Sequence, residues 1–457
     1  MTVDEHEAPP PEQQRRRATG GWAGVRPLLM RLHFYAGVLV APFLLVAALS
    51  GLAYIYTPQL EQVVHDHELH VPAAEVSVPL SRQVELARQE VPEGKLVSVR
   101  PGATATDSTQ VVFHLPGAGS SFNQTVFVNP HDGEIRGSLE TYGSSQALPV
   151  RAWLSGLHRN LHLGEFGRLY SELAASWLGV LVLVGLGLWV GRRRVLRRLA
   201  RRDNPAAGPA VKRGRTVSRH ATVGVWAAIG LLFLSATGLT WSAYAGENVS
   251  DLRTALDWTT PSVASAVDPS PTGTDVGIDA VRAATAAAGL ADPVEIRVPA
   301  AAGKAYVVTQ VEKGLPGKAD SMAVDPATGQ ITDTLRFADY PLMAKLTKWG
   351  IDAHMGMLFG LPNQIVLTAL ALAIVGLVVW GYRMWWLRRP PLGGNRFGKA
   401  PPRGTWRRVS PTVLVPLVVV GALLAWFLPV FGVSLVAFLV VDALVGFSTK
   451  EEPVKTG

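Results

Sequence analysis

The chain has 457 residues, of which 48% are apolar and only 17% charged, with no cysteine and a net charge of +8. Soluble domains carry about 25% charge, so this composition excludes an ordinary soluble enzyme and a disordered chain. Without cysteine there can be no disulfide, thiolate zinc site, iron–sulfur cluster or covalently attached c-type haem.

Residues 1–27 are rich in Pro, Glu, Gln and Arg and read as a disordered cytoplasmic N-terminus. An apolar run follows at 28–57. The arginines before it (Arg15, Arg16, Arg17) resemble the start of a signal peptide, but the run is too long for one and lacks a small-residue cleavage site, so it reads as an uncleaved first span. Residues 58–153 form a first extracytoplasmic module, with an amphipathic helix at 81–90 and strands at 96–100, 110–115 and 125–129. A re-entry segment and second span occupy 154–191, a basic loop 192–219, and a third span 220–245. The second module, 246–349, has a helix at 276–288 and strands at 294–298, 305–311 and 322–325. A re-entry segment and fourth span (350–387) and a second basic loop (388–410) follow. The apolar region 411–447 is too long for one span and is punctuated at Leu428-Pro429-Val430-Phe431-Gly432. It reads as a C-terminal transmembrane hairpin, with one tilted or kinked helix as the alternative, before a tail at 448–457.

Charge sets the orientation. Segment 192–219 has eleven Lys/Arg and one acid, and 383–408 has eight Lys/Arg and none, whereas 58–153 and 245–349 together have 24 acids and 15 bases. The positive-inside rule therefore puts both basic loops in the cytoplasm and both modules outside a cell membrane, with N- and C-termini inside. The basic excess is thus a topology signal whose partner is the lipid bilayer, and no nucleic acid is expected.

Equal spacings point to a tandem internal repeat. His33-x3-Gly37 and Ser50-Gly51-Leu52 in the first span recur as His220-x3-Gly224 and Thr237-Gly238-Leu239, with 18 residues from His to second Gly in both. The modules close on Val128-Asn129-Pro130-x2-Gly133 and Val324-Asp325-Pro326-x2-Gly329, and Trp153 and Trp349 each follow that Gly by 20 residues. Trp153-x4-His158-x5-Gly164 then matches Trp349-x4-His354-x5-Gly360.

The repeat sorts the eleven histidines. His33 and His220 occupy matching places at the inner ends of spans, and His158 and His354 at the outer ends. If the halves pack about a pseudo-twofold axis, each pair converges, one near each membrane face. With no cysteine and no carboxylates beside them, paired imidazoles suit haem iron best among common cofactors. Gly37, Gly51, Gly224 and Gly238 would make room for a macrocycle or let helices approach. His162, one helical turn from His158, is the alternative outer ligand, although its repeat counterpart is Leu358. His65, His67 and His70 lie in His65-Asp66-His67-Glu68-x-His70. In an extended chain His65 and His67 share a face, so this stretch reads either as a weak surface metal site or as a solvated linker. Asp442, inside the last apolar run, reads as a structural hydrogen-bonding group. No dinucleotide fingerprint, Walker loop, nucleophile elbow or HExxH occurs, so no flavin or nicotinamide domain is expected in this chain.

The Asn129-Pro130-x2-Gly133 and Asp325-Pro326-x2-Gly329 units resemble PepSY domains. Arg31-Leu32-His33-x3-Gly37, Leu157-His158-Arg159-x4-Gly164 and His354-Met355-Gly356-x2-Phe359-Gly360-Leu361-Pro362 resemble PepSY-associated transmembrane proteins, over residues 28–447. The fold expected is an α-helical integral membrane protein with four core spans, a C-terminal hairpin and two small α+β PepSY-like modules. Members of this family include iron-regulated membrane proteins and siderophore reductases with two b-type haems. The resemblance therefore implies a membrane di-haem electron conduit, two haem b, that reduces extracytoplasmic ferric-siderophore or other ferric chelates. The electrons would come from a cytoplasmic or quinol donor. PepSY domains have also been proposed to inhibit peptidases, which implies the alternative of a non-enzymatic protein that binds an extracytoplasmic partner.

Overall fold

A computed structural model describes residues 22–199, 210–268, 274–312, 319–388, 401 and 404–448. The expectations for residues 1–21, the middle of the 192–219 loop, most of 388–410 and the tail from 449 lie outside the described residues.

The chain begins with α1 (Trp22–Leu39), α2 (Ala41–Ile55), α3 (Thr57–Val64), α4 (Asp66–Leu69) and α5 (Leu80–Glu90). Strands β1 (Lys95–Arg100), β2 (Thr109–His114), β3 (Phe122–Val128) and β4 (Ile135–Tyr142) follow, then α6 (Pro149–Asn160), α7 (Gly164–Leu199), α8 (Ala210–Leu239) and α9 (Tyr244–Ala255). Next come α10 (Gly277–Ala287), β5 (Val294–Arg297), β6 (Tyr306–Gln310), β7 (Ser321–Val324) and β8 (Ile331–Leu335). The described chain closes with α11 (Leu342–His354), α12 (Leu361–Trp386), α13 (Pro411–Phe427) and α14 (Pro429–Ser448). Contacts divide it into two compact units, one made of residues up to 49, 163–250 and 370 onward, the other of 50–162 and 251–369.

The first unit is a helix bundle. Among the described residues, four helices are long and apolar enough to cross a membrane: 164–192, 214–239, 361–386 and 429–446. Sides carrying Trp226, Ile229, Trp426 and Val433 are exposed and apolar, as a lipid-facing surface requires. Inside, Ala36, Val40, Leu44, Ala174, Trp177, Leu231 and Phe431 pack as one core. Small residues set the close approaches. A Cβ on Gly179 would lie 2.8 Å from Ser235 Oγ, and that hydroxyl donates to the Ala175 carbonyl at 2.7 Å.

The first span is not the single helix expected. It bends by 56° between α1 and α2. The cause is Pro42, which has no N–H to offer the Val38 carbonyl one turn back. The Tyr382 hydroxyl donates to that freed carbonyl at 2.9 Å. The last apolar run breaks at Leu428 into α13 and α14. Asn248 Nδ2 donates to the Phe427 carbonyl at the break at 2.9 Å. At the other end Arg31 reaches both the Pro401 carbonyl and the Asp442 carboxylate. Residue 401 precedes α13 and Asp442 lies in the last third of α14, so the chain doubles back on itself.

The second unit holds an antiparallel eight-stranded sheet in the order β4-β3-β2-β1-β5-β6-β7-β8. A helix followed by four strands occurs twice, and β1 and β5 pair through Ser98↔Arg297 and Val99↔Ile296 to make one continuous sheet. The fourth strand of each set, β4 and β8, was not expected. β4 is mostly half-buried and β8 alternates only between half-buried and exposed, so neither shows the buried face of a core strand. One sheet face carries α5 and α10, whose Val84, Ala87, Ile278 and Val281 pack on Val99, Phe113, Val126, Ile296 and Val308. The Asn-Pro and Asp-Pro motifs are hairpin turns. Asn129 Oδ1 accepts from His131 N at 3.0 Å and Asp325 Oδ1 from Ala327 N at 2.9 Å. Gly133 (φ 82°) and Gly329 (φ 69°) then supply the left-handed residue each turn needs.

Candidate functional site

The bundle brings His33 of α1 and His220 of α8 together. Their ring centroids are 6.2 Å apart and their planes are nearly perpendicular, at 83°. His220 Nδ1 bonds the Leu377 carbonyl of α12 at 3.2 Å. His33 faces the Leu181 carbonyl of α7, with its buried Nδ1 short of a formed hydrogen bond. Each ring thus meets the backbone of a neighbouring helix, His220 through Nδ1, which leaves its Nε2 as the nitrogen to ligate. Two imidazoles bound to one metal through nitrogens about 2 Å from it have ring centres roughly 6 Å apart. A Cβ on Gly185 would lie 3.3 Å from His33 Cε1, so that glycine admits the ring. A Cβ on Gly37, one turn along α1 from His33, would meet nothing within 4 Å. The donor set and the open space fit a bis-imidazole metal group.

In the second unit, His158 lies in the last turn of α6 and His354 ends α11, and the two imidazoles are close enough to interact electrostatically. His158 Nδ1 is 3.0 Å from Ser50 Oγ. A Cβ on Gly51 would lie 3.2 Å from His158 Cε1. The helices that carry the pair are anchored from below. The Glu61 carboxylate accepts from Leu148 N at the start of α6 (2.9 Å) and pairs with Arg151 at 3.1 Å, with both side chains buried. Asn363 accepts from Leu358 N at 3.2 Å and donates to the Ala353 carbonyl at 3.0 Å, which pins the turn that follows His354. Gln364, buried, donates to the Ile55 carbonyl at 3.1 Å and so ties α12 to the end of α2.

His162 is engaged elsewhere. Leu161 (φ 53°) and His162 (φ 56°) turn the chain out of α6. The His162 ring stacks on Trp153 at 5.1 Å, with Nε2 2.9 Å from the Trp153 carbonyl. Leu358 is a buried core residue. The 65–70 stretch is not extended. Asp66–Leu69 is a helical turn, and its histidines take separate partners. His65 pairs with Glu68 at 3.7 Å, His67 Nδ1 accepts from Arg136 at 2.9 Å, and His70 bonds Gln62 at 2.6 Å and faces Asp107 at 3.4 Å. Among the described residues no group of three His, Asp or Glu is placed to hold a metal. The shared face that an extended chain would give His65 and His67 is therefore not formed. Asp442 pairs with Arg31.

Sequence reasoning did not assign roles to Ser50, Gly185, Glu61 or Asn363. Ser50 sits inside a recurring motif, which is the one signal that could have marked it. The carbonyls of Leu181 and Leu377 carry no sequence signal, because every residue has one.

These features define a polytopic membrane protein with histidines paired between its helices. Residues 30–388 match the family described as PepSY-associated TM region, so the chain belongs to that family. No curated protein matches it.

Proposed function

We propose that this chain is a di-haem membrane electron-transfer protein, with one b-type haem held by His33 and His220 and the other by His158 and His354. The observation that carries the reading is the His33–His220 pair, 6.2 Å apart, with His220 Nδ1 on the Leu377 carbonyl and His33 facing the Leu181 carbonyl. Haem iron supplies one-electron chemistry when bound, and two imidazoles leave no open iron position, which favours electron transfer over oxygen chemistry. The residues here hold and orient. Leu377 O fixes the tautomer of His220 and Ser50 that of His158, the Leu181 carbonyl lies against His33, and Glu61 and Asn363 fix the helix ends that carry the second pair.

The two halves read as a tandem duplication. Leu181 follows Gly164 by 17 residues and Leu377 follows Gly360 by 17, so the carbonyl facing each histidine is also in register. The paired sets of helix and strands, with their matching Asx turns, read as two PepSY-like modules fused edge to edge. By charge, the basic loops face the cytoplasm and the modules lie outside. His33 and His220 would hold the haem that takes electrons from a cytoplasmic or quinol donor, and His158 and His354 the haem that would pass them to an extracytoplasmic ferric chelate of siderophore type. The test is reduction of a ferric hydroxamate by the dithionite-reduced, repurified protein in detergent. Reoxidation of the haem bands on adding the chelate supports the assignment, and bands that stay reduced in its presence contradict it.

A further inference from the structure

Resting on the haem reading above, we propose that Ser50 is a positioning residue that fixes the tautomer and aim of His158. The Ser50 side chain is buried on α2 and its Oγ stands 3.0 Å from His158 Nδ1. The next residue, Gly51, brings its backbone against the other side of the same ring edge, where a Cβ would lie 3.2 Å from Cε1 and 3.5 Å from Nδ1. The imidazole is therefore held along its Nδ1–Cε1 edge, between a hydroxyl and a helix backbone. With Nδ1 on Ser50, a bond from His158 to a metal would be made by Nε2. A ligating Nε2 needs the proton on Nδ1, and the Ser50 hydroxyl oxygen accepts it.

Ser50 differs from the supports of the other pair. His220 and His33 face backbone carbonyls, which no substitution removes, whereas His158 leans on a side chain. An acceptor on Nδ1–H makes the imidazole a stronger donor to the metal, and removing such a partner typically weakens the metal site about 10–100-fold. A stronger donor favours the ferric over the ferrous state. Loss of the Ser50 hydroxyl therefore raises the midpoint potential of the haem on His158/His354 and leaves the other unchanged. A tenfold loss confined to the ferric state corresponds to about 59 mV for a one-electron couple.

The experiment compares the full-length protein, Ser50→Ala and Ser50→Thr, each expressed with haem supplied and purified in one detergent. Spectroscopic redox titration gives two midpoints, and electron paramagnetic resonance of the ferric state gives the axial-ligand signature of each haem. His158→Ala identifies which signals belong to which pair. The expected result is an upward shift of one midpoint in Ser50→Ala, with an altered resonance for that haem alone, restored in Ser50→Thr, which keeps the hydroxyl. A haem-loaded parent protein whose midpoints and resonances are the same in Ser50→Ala overturns this inference alone, as does a shift that Ser50→Thr fails to restore. A parent protein that takes up no haem overturns the haem reading and this inference with it.

Discussion

The Arg31–Asp442 pair lends itself to a quantitative test that needs no cofactor. Arg31 is 7% exposed and Asp442 24%, and Arg31 also donates to the Pro401 carbonyl and sits 4.9 Å over the Tyr35 ring. Two unit charges 4 Å apart attract by about 4 kcal/mol at an effective dielectric constant of 20, and the cost of removing both from water offsets much of that. Asp442→Asn keeps the volume but strands a buried guanidinium, and breaking such a pair costs about 3–5 kcal/mol. The partial exposure of Asp442 puts the expected loss near the lower end, about 3 kcal/mol. Replacing both residues by apolar groups, Arg31→Met with Asp442→Leu, leaves no orphan charge and should fall within about 1 kcal/mol of the parent protein. Reversible denaturant unfolding in a fixed mixed micelle, followed by tryptophan fluorescence, measures both. If Asp442→Asn costs under about 0.5 kcal/mol, the level of a surface pair, or if the double variant is as weak as the single one, the pair does not act as a buried clamp on the C-terminal helices.

Three further outcomes follow from the site and the sheet. His33→Ala and His220→Ala should each remove the same haem, and His158→Ala and His354→Ala the other, while His162→Ala keeps both because its ring is committed to Trp153. Stoichiometry and spectra decide this, and loss of the same haem from His33→Ala and His354→Ala would break the pairing scheme. Gly185→Ala and Gly51→Ala should lower haem retention although alanine is the better helix former by up to about 1 kcal/mol, because each Cβ would meet a histidine ring at 3.3 and 3.2 Å. Haem retention equal to the parent's in both variants would refute this. His131 has one ring nitrogen 2.8 Å from the Ala105 carbonyl and the other 2.8 Å from the Val76 carbonyl, and only the imidazolium can donate to both. These bonds, Ala105 first and Val76 second, raise its pKa above 6.5. The tie it makes is therefore complete below about pH 6.5 and is lost as pH rises through the raised value. Hydrogen exchange in 71–79 and 101–107 should quicken over that rise in the parent protein, after allowance for the intrinsic rate, but not in His131→Gln. The same pH profile in both would sink it.

The membrane spans were legible because each is a long, nearly uncharged apolar run. The equal spacings around His33, His220, His158 and His354 identified the residues the structure pairs, and the mismatch of His162 with Leu358 set it apart. What stayed hidden depends on contacts between residues far apart in sequence. Arg31 meets Asp442 across 411 positions, and β1 joins β5 through residues some 200 positions away, which no local periodicity reports. The bend at Pro42 was readable in principle, since proline frees the carbonyl four residues back. The hydroxyl that caps it, Tyr382, was not. The extended geometry assumed for His65–His70 failed because 66–69 closes a helical turn, with His70 N bonding the Asp66 carbonyl at 2.9 Å.

The most direct measurement is the visible spectrum and haem-to-protein ratio of the full-length protein, purified in detergent after expression with haem supplied. The account predicts a red protein with two haems per chain, both low-spin with two histidine ligands, falling to one haem in His33→Ala. A colourless protein, or one whose haem content is indifferent to His33, His220, His158 and His354, contradicts it.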